Sequence, residues 1–578
     1  MINYFKNKKR IDYIVFFIII GVIIILMRSF QLQYTDNEKY SNKIEGIEIK
    51  HHIIRTTRGS ILDRNNIILA ESILMDTVIL SDTKEFFSNI SKVKKFCSIL
   101  NINYEDLVYK LKNRENKKFS YITKGRYISP KTREEIKKLN LKSIYFIKEF
   151  KRYYPEGEIF SPLIGMTDID HIGKMGLEKS FNKELQGKDG KKLVLVDNKG
   201  NIVEEIRQVS LPDEGKQLKL TIDARLQYIA YRELKEKVDS INAKSGSVVI
   251  LDSTTGEILA SASYPSYDLN NRKTYAPGKE RNRVIIDSIE PASTAKPFLI
   301  AAALYSKKID LDDIINTSPG YLMYGSKKYQ DKNDNGKLTP EGILALSSNI
   351  GSIKISEKFD KKIYYDFLSY VGAGKMINLN FPSESKGQLN DYNTWRSSDV
   401  RSHALGYAFK MTPLQLAKAY SVIANQGLVI NPYIIKNKIT EKYINQKYKD
   451  SFLKIRNMLR SVVETGTAKK AQITGYTVGG KTGTAKVYIG GSSKFKYSDQ
   501  EHASLFAGIV PVTKPKLVIV VVINNEPKKT MQYGGEVAAP VFQRVGVDAL
   551  RILNVTPDNI SGIENNFLTK SLNNDNYF

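Results

Sequence analysis

The chain has 578 residues, enough for two to four domains, and its 42% hydrophobic and 26% charged content describes a foldable sequence with ample core. A single cysteine, Cys97, excludes an internal disulfide, and five scattered histidines with no H-x-x-x-H or C-x-x-C spacing predict neither a metal site nor another cofactor. The formal charge of +27 is spread along the whole chain, as a lysine-rich codon bias would spread it; this argues against a nucleic-acid partner and suits anionic lipid head groups and acidic wall polymers.

In chain order, the first element is an apolar run, "IDYIVFFIIIGVIIILM" (Ile11–Met27), extended by Ser29, Phe30 and Leu32. About twenty residues at about 1.5 Å each cross a bilayer core. Lys6, Lys8, Lys9 and Arg10 precede it, which places residues 1–10 in the cytoplasm as a short tail. No small-x-small cleavage site follows Met27, so residues 11–32 read as an uncleaved signal anchor with the rest of the chain outside. Residues 33–235 are mixed and charged. Two stretches there, Arg55–Ser72 and Arg152–Phe181, alternate turn residues with short apolar runs and predict extended structure.

From about Ser245 the texture changes. "GSVVILDSTTGEILASASYP" predicts a hairpin with strands Ser247–Asp252 and Glu257–Ala262 about a turn at Thr254–Gly256. His502–Val512 and Lys516–Asn525 predict two more core strands, and Thr294–Tyr305, Pro340–Ser347 and Pro413–Gln426 carry helical apolar spacing. Strands at both ends with helices between predict one domain, residues 236–556, whose sheet joins its first and last strands. Residues 557–578 are polar and Asn-rich and predict a flexible tail.

The chemistry centres on "IEPASTAKPF" (Ile289–Phe298). Pro297 fits only the first turn of a helix, so the helix should begin near Ser293. Ser293 then sits at a positive helix end, with Lys296 on the same face three residues on. Alone, S-x-x-K says little; it recurs at Ser81/Lys84, Ser91/Lys94 and Ser493/Lys496. Two further elements change that. Ser347-x-Asn349 follows a helix-like run, and Lys481-Thr482-Gly483-Thr484 is the chain's one Lys-Thr-Gly, preceded by Gly479-Gly480 and followed by strand-like residues. Glycines in a strand predict close approach by another backbone, such as an extended peptide substrate. The three motifs in this order match the serine acyl-transferase set of penicillin-binding proteins and class A β-lactamases.

The resemblance covers nearly the whole chain, which is similar to the class B penicillin-binding proteins. "RGSILDRNNIILA" (Arg58–Ala70), "RYYPEG" (Arg152–Gly157) and "GKMGLE" (Gly173–Glu178) resemble that family's pedestal signatures. "NRVIIDSIEPASTAKP" and "LGYAFKMTPLQLAKAYSVIANQG" resemble its nucleophile segment and the helix after its G-Y-G turn. The Arg281–Arg283 and Glu290–Thr294 forms, the length and the lack of an appended module are most like the division-specific, septal branch; the elongation-specific branch is the near alternative. Three positions depart from the pattern: Asn66, Ala292 and Ala408 stand where the family has glycine. Asparagine tolerates positive φ and alanine does so poorly, which predicts altered loop geometry at Ala292 and Ala408.

The resemblance implies an α+β, multidomain fold: one N-terminal transmembrane helix, an elongated pedestal, and a serine β-lactamase-like transpeptidase domain with an antiparallel sheet flanked by helices. It implies a D,D-transpeptidase that cross-links peptidoglycan stem peptides through an acyl-enzyme on Ser293 and is acylated by β-lactams. Lys296 would take the serine proton, Ser347 relay it, and Asn349 hold Lys296 and the substrate amide. Lys481 would counter the terminal carboxylate, with Thr482, Gly483 and Thr484 binding substrate and the N–H groups of Ser293 and Thr484 forming the oxyanion hole. No carboxylate is placed to activate a deacylating water, so a β-lactam adduct should persist. Arg58 and Glu178 would organise the pedestal, Tyr407 line the cleft, His403 be a satisfied structural histidine and Cys97 a small buried hydrophobe. The implied partners are a membrane-embedded SEDS-type glycan polymerase and other division proteins, at the inner membrane. A D,D-carboxypeptidase, a β-lactam sensor and an inactive scaffold are the rival readings.

Overall fold

A computed structural model describes residues 2–31, 33, 48–112, 120–196, 202–438, 440–489, 496–525 and 532–559. Leu32, Ser493 and residues 560–578 of the expected tail lie outside them. The chain divides into two units, residues 1–57 with 187–215, and residues 58–186 with 216–578.

The first unit contains the apolar run as one helix, Ile2–Phe30; its Tyr13–Phe30 window has mean hydropathy 2.6 and none of it is buried. An apolar surface with nothing packed on it is what lipid would cover. The same unit holds a three-stranded antiparallel sheet in which Gly190–Val196 lies between Glu48–Ile54 and Ile202–Ser210. Arg55 and Asp189 pair at 2.8 Å across its end.

In the second unit, the long strand Ile68–Leu80 pairs antiparallel with Ile144–Tyr153. Val78, Phe86, Phe96, Cys97, Leu107 and Ile136 close a small separate core there, with Cys97 buried as an apolar group. The Arg55–Ser72 stretch is extended over Ile61–Leu62 and Ile68–Leu80, as expected. The Arg152–Phe181 stretch is not: it forms helices Gly157–Ile164 and Gly176–Ser180. Phe160, Leu163 and Ile164, spaced three and four apart, bury one helical face, a period hidden among the turn residues.

These helices carry a buried charge node. Glu178 is fully buried; it accepts from Arg58 Nε at 2.6 Å and from Arg152 Nε at 2.8 Å. Arg58 also donates to the carbonyls of His171 and Glu178 and to Asn182 Oδ1. Each bond needs its partner, because a lone charge at such a site would pay a desolvation cost of several kcal/mol. Asp63 is likewise buried; it accepts from the N–H groups of Asn65, Ile67 and Ala224, and Asn66 takes φ 68° in the turn it makes.

The central sheet runs in the order Ile258–Tyr264, Ser245–Asp252, Leu517–Asn524, Lys496–Val510, Gly479–Ile489, all antiparallel. The expected hairpin and the two expected late strands are there, and the first strand pairs with the last. Every residue of Ser245–Asp252 is buried, so both faces of the sheet are covered. Helices Ala224–Ser240 and Gly534–Ile552 pack on it and on each other; Pro413–Ala424 packs on it with Lys449–Glu464. Ala224–Ser240 is one uninterrupted helix whose Leu226, Ile229, Leu234 and Val238 belong to the main core, so the expected domain boundary at 235/236 falls inside a helix. The start of the expected flexible tail is tied down: Asp558 accepts from Thr477 N at 2.7 Å and Asn559 N donates to Gly475 O.

Candidate active site

The helix expected near Ser293 begins with a 3-10 turn, Ala292–Ala295, and continues as an α-helix, Lys296–Tyr305, with Pro297 in its first turn. Every residue from Lys296 to Leu304 is buried. A helix apolar all round is a core helix. It therefore delivers its first residue, a lysine, to a site with no exposure at all. Lys296 Nζ donates to Ser347 O at 2.7 Å and to Asn349 Oδ1 at 2.9 Å, with Ser347 Oγ at 3.4 Å. Burial pushes its pKa down to about 7, with the Asp331 carboxylate pulling the other way. Ser293 is half-buried, and its hydroxyl has no hydrogen-bond partner among the described residues.

Ser347 and Asn349 lie where two short helices meet, Pro340–Ala345 and Asn349–Ser356. Ser347 is held at φ 60°, a left-handed conformation that costs a non-glycine residue about 1–2 kcal/mol. The bend turns its carbonyl and hydroxyl toward Lys296. Ser348 caps the second helix, its hydroxyl accepting from Gly351 N.

Lys481 comes from the edge strand Gly479–Ile489. It is fully buried, and among the described residues its Nζ donates only to Thr482 O at 3.1 Å and Thr482 Oγ1 at 3.2 Å. No ion pair to it exists among the described residues. Burial first, then repulsion from Lys296, holds its pKa well below the usual lysine value.

The strand lies directly on the nucleophile turn. A β-carbon added at Gly483 would stand 3.0 Å from Thr294 Cγ2 and 3.1 Å from Pro291 O. The close approach predicted for these strand glycines is therefore made by the protein itself: at Gly483 by the turn, and at Gly480 by Phe506. Thr482 Oγ1 pairs with Thr467 Oγ1 at 2.9 Å, and Thr484 Oγ1 accepts from Gly534 N at 3.2 Å.

A third segment ties the walls together. Ala292 N donates to Gly406 O, Ala408 N to Glu290 Oε1, and Ile289 and Met411 exchange backbone bonds. Tyr407 Oη reaches Thr484 O at 3.4 Å, so it does line the site. Ala292 and Ala408 have φ 49° and 66°. Both alanines therefore take the left-handed backbone that alanine adopts poorly, and the paired segments hold that strain in place. His403 is structural, stacked 3.7 Å from Trp395, and burial lowers its pKa to about 4. Its Nδ1 contacts Asp399 O at 2.7 Å, but its buried Nε2 has no partner among the described residues, so it is not fully satisfied by them. Trp395, for which the sequence offers no role, covers that ring. Asp331 and Gln330, beside Asn349, carry no motif and were found only by the fold.

Of the residues expected at the site, Lys296, Ser347 and Asn349 are joined by hydrogen bonds. Ser293 shares the turn with Lys296, and Lys481 to Thr484 form the adjoining strand. Three comparisons bear on the family of the chain. Residues 246–546 match the family model of the penicillin binding protein transpeptidase domain, and residues 53–220 match that of the penicillin-binding protein dimerisation domain. The chain is 34% identical to a probable peptidoglycan D,D-transpeptidase PenA of Neisseria gonorrhoeae over 95% of this chain and 94% of that one. It is 34% identical to the peptidoglycan D,D-transpeptidase FtsI of Escherichia coli K12 over 89% and 87%. Among solved structures, penicillin-binding protein 3 of Mycobacterium tuberculosis, complexed with aztreonam, matches with TM-score 0.66 at 24% identity, over 88% of this chain and 98% of that one. A transpeptidase domain and a dimerisation domain in one chain, with relatives this similar over nearly their full length, make this chain a member of the class B penicillin-binding proteins.

Proposed function

We propose that the chain is a serine D,D-transpeptidase of peptidoglycan. The observation that carries this reading is a half-buried hydroxyl one turn from a fully buried lysine and beside a second one, with no hydrogen-bond partner for the hydroxyl and no counter-ion for the second lysine among the described residues. Lys296, largely neutral above about pH 7, accepts the Ser293 proton as Oγ attacks the penultimate D-Ala carbonyl. The C–N bond to the terminal D-Ala breaks, and Ser347 relays the proton to the departing amine. Lys481 counters the terminal carboxylate, whose charge raises its pKa back toward the usual lysine value. The N–H groups of Ser293 and Thr484 hold the oxyanion, each worth about 3 kcal/mol in the transition state. An edge strand beside the nucleophile suits a substrate that adds as a further strand. The amine of a second stem peptide then takes the acyl group and releases Ser293.

The Tyr13–Phe30 helix anchors the chain in the inner membrane, with the basic N-terminal end in the cytoplasm and the catalytic domain outside. The FtsI-named relatives and the Glu290–Thr294 segment favour a septal role beside a SEDS-type polymerase and other division proteins. The decisive test is covalent labelling of the detergent-purified chain by a fluorescent penicillin. The wild type takes the label and Ser293→Ala does not; a label that survives the substitution refutes the assignment. A stem-peptide donor given an amine acceptor should yield aminolysis product over free acid. Depletion should leave filaments; spheres would indicate side-wall work.

A further inference from the structure

The Ser347–Asn349 turn is gripped from one side by a hairpin whose strands are Tyr321–Tyr324 and Lys327–Gln330. Its last residue, Gln330, accepts Asn349 Nδ2 on its carbonyl at 2.9 Å. That bond fixes which end of the Asn349 amide faces Lys296: the nitrogen is held by the hairpin and the oxygen is presented to Nζ. The next residue, Asp331, turns both carboxylate oxygens to the same turn. Oδ1 accepts from Asn349 N at 2.5 Å and Ile350 N at 3.2 Å; Oδ2 accepts from Ser348 Oγ at 2.5 Å and Asn335 Nδ2 at 3.4 Å. Two of these bonds satisfy N–H groups at the start of the Asn349–Ser356 helix, where a carboxylate is electrostatically favoured. A left-handed residue persists only where its surroundings over-determine it, and Ser347 is that residue.

We propose that Asp331 is a positioning residue of the acylation centre: its one carboxylate holds the Ser347–Asn349 turn in its left-handed bend and supplies the negative charge nearest to Lys296. The charged groups acting on Lys296 are Lys481 from the edge strand and Asp331 from the hairpin. Ser293, Ser347 and Asn349, the other groups around it, are neutral. Without Asp331 the ammonium form of Lys296 loses the one counter-charge acting on it among the described residues, while the neutral form loses little. The proposal rests on Lys296 as proton acceptor.

The test is the second-order rate of acylation by fluorescent penicillin, followed from acid to alkaline pH on the full chain in detergent. Asp331→Asn removes the charge at nearly constant shape. Its acid limb should move to lower pH by on the order of half a unit or more, and its plateau should fall severalfold because an NH2 group now faces Ser348 or the helix N–H groups. Asp331→Glu keeps the charge and displaces it by one methylene; its limb should stay at the wild-type position while its plateau falls. An unmoved limb in Asp331→Asn, or an equal shift in both variants, overturns the proposal. Should Asp331→Asn not fold by circular dichroism, Asp331→Glu decides alone: a lowered plateau with an unmoved limb supports the proposal, and an unchanged plateau overturns it. A wild-type chain that is never labelled at Ser293 sinks the functional reading instead, so the two failures are distinct.

Discussion

Two regions of this molecule remove charge from water, in opposite ways. Around Glu178, one carboxylate meets two guanidiniums, and all three side chains are at most 6% exposed. Around Ser293, two ammonium groups are fully buried and neither has a carboxylate at bonding distance among the described residues. Paired burial fixes structure: removing one partner strands the other. Unpaired burial stores reactivity. It holds Lys296 near neutrality, so that it can take a proton, and keeps Lys481 short of the counter-ion that a substrate carboxylate would bring.

Replacing one member of each set tests the contrast most sharply. Lys296→Met should slow acylation by penicillin on the order of 10² to 10⁴-fold, yet leave thermal stability unchanged or raised, because an apolar isostere no longer has to be desolvated. The sign depends on pH. A lysine whose native pKa lies below its unfolded value binds fewer protons when folded, so wild-type stability rises with pH between about 7 and the usual lysine value. The stability advantage of Lys296→Met, measured by melting, should therefore shrink as pH rises across that window. A large loss of stability would erase the contrast.

Glu178→Ala should do the reverse. It leaves Arg58 and Arg152 buried without their carboxylate and should cost about 3–5 kcal/mol of stability, while each molecule that remains folded is still labelled. A cost below about 1 kcal/mol, read from denaturant or heat unfolding, would mean that water or a rearrangement satisfies the arginines and that the node is not structural.

In the wild type, acylation should fall about tenfold per pH unit below about pH 7 and level off above it, because only neutral Lys296 accepts a proton. A half-point near pH 9 would show Lys296 charged at neutrality and remove it as the base. The smallest effect concerns the backbone. Alanine in a left-handed conformation costs about 1–2 kcal/mol, and glycine gives back part of that through its freer unfolded chain. Ala292→Gly and Ala408→Gly should therefore each stabilise by under about 1 kcal/mol, visible as a rise in melting temperature.

The local text of the chain carried more than is usual. The apolar N-terminal run, the hairpin at Ser245, the late strands and the three core helices follow from periodicity and turn residues, and all are present. Lys296 and Lys481 were legible because their motifs are short and local. What was not legible depends on partners distant in sequence. The Arg152–Phe181 stretch reads as extended among its turn residues yet folds as helices, since burial of Phe160, Leu163 and Ile164 outweighs local propensity. Asp331 carries no recognisable spacing, because its partners Ser348, Asn349 and Ile350 follow 17 to 19 residues later, beyond the helix Pro340–Ala345.

Composition, periodicity and motif spacing by themselves determined which segment is long and apolar enough to cross lipid, which segments build the sheet and which residue types meet at the site, because each depends on neighbours within a few positions along the chain. Only the tertiary structure decided how deeply the two lysines are buried, that Ala292 and Ala408 stay left-handed, and that Asp331 braces the turn. Desolvation, strain and hydrogen bonding there are set by segments that sequence separation does not reveal.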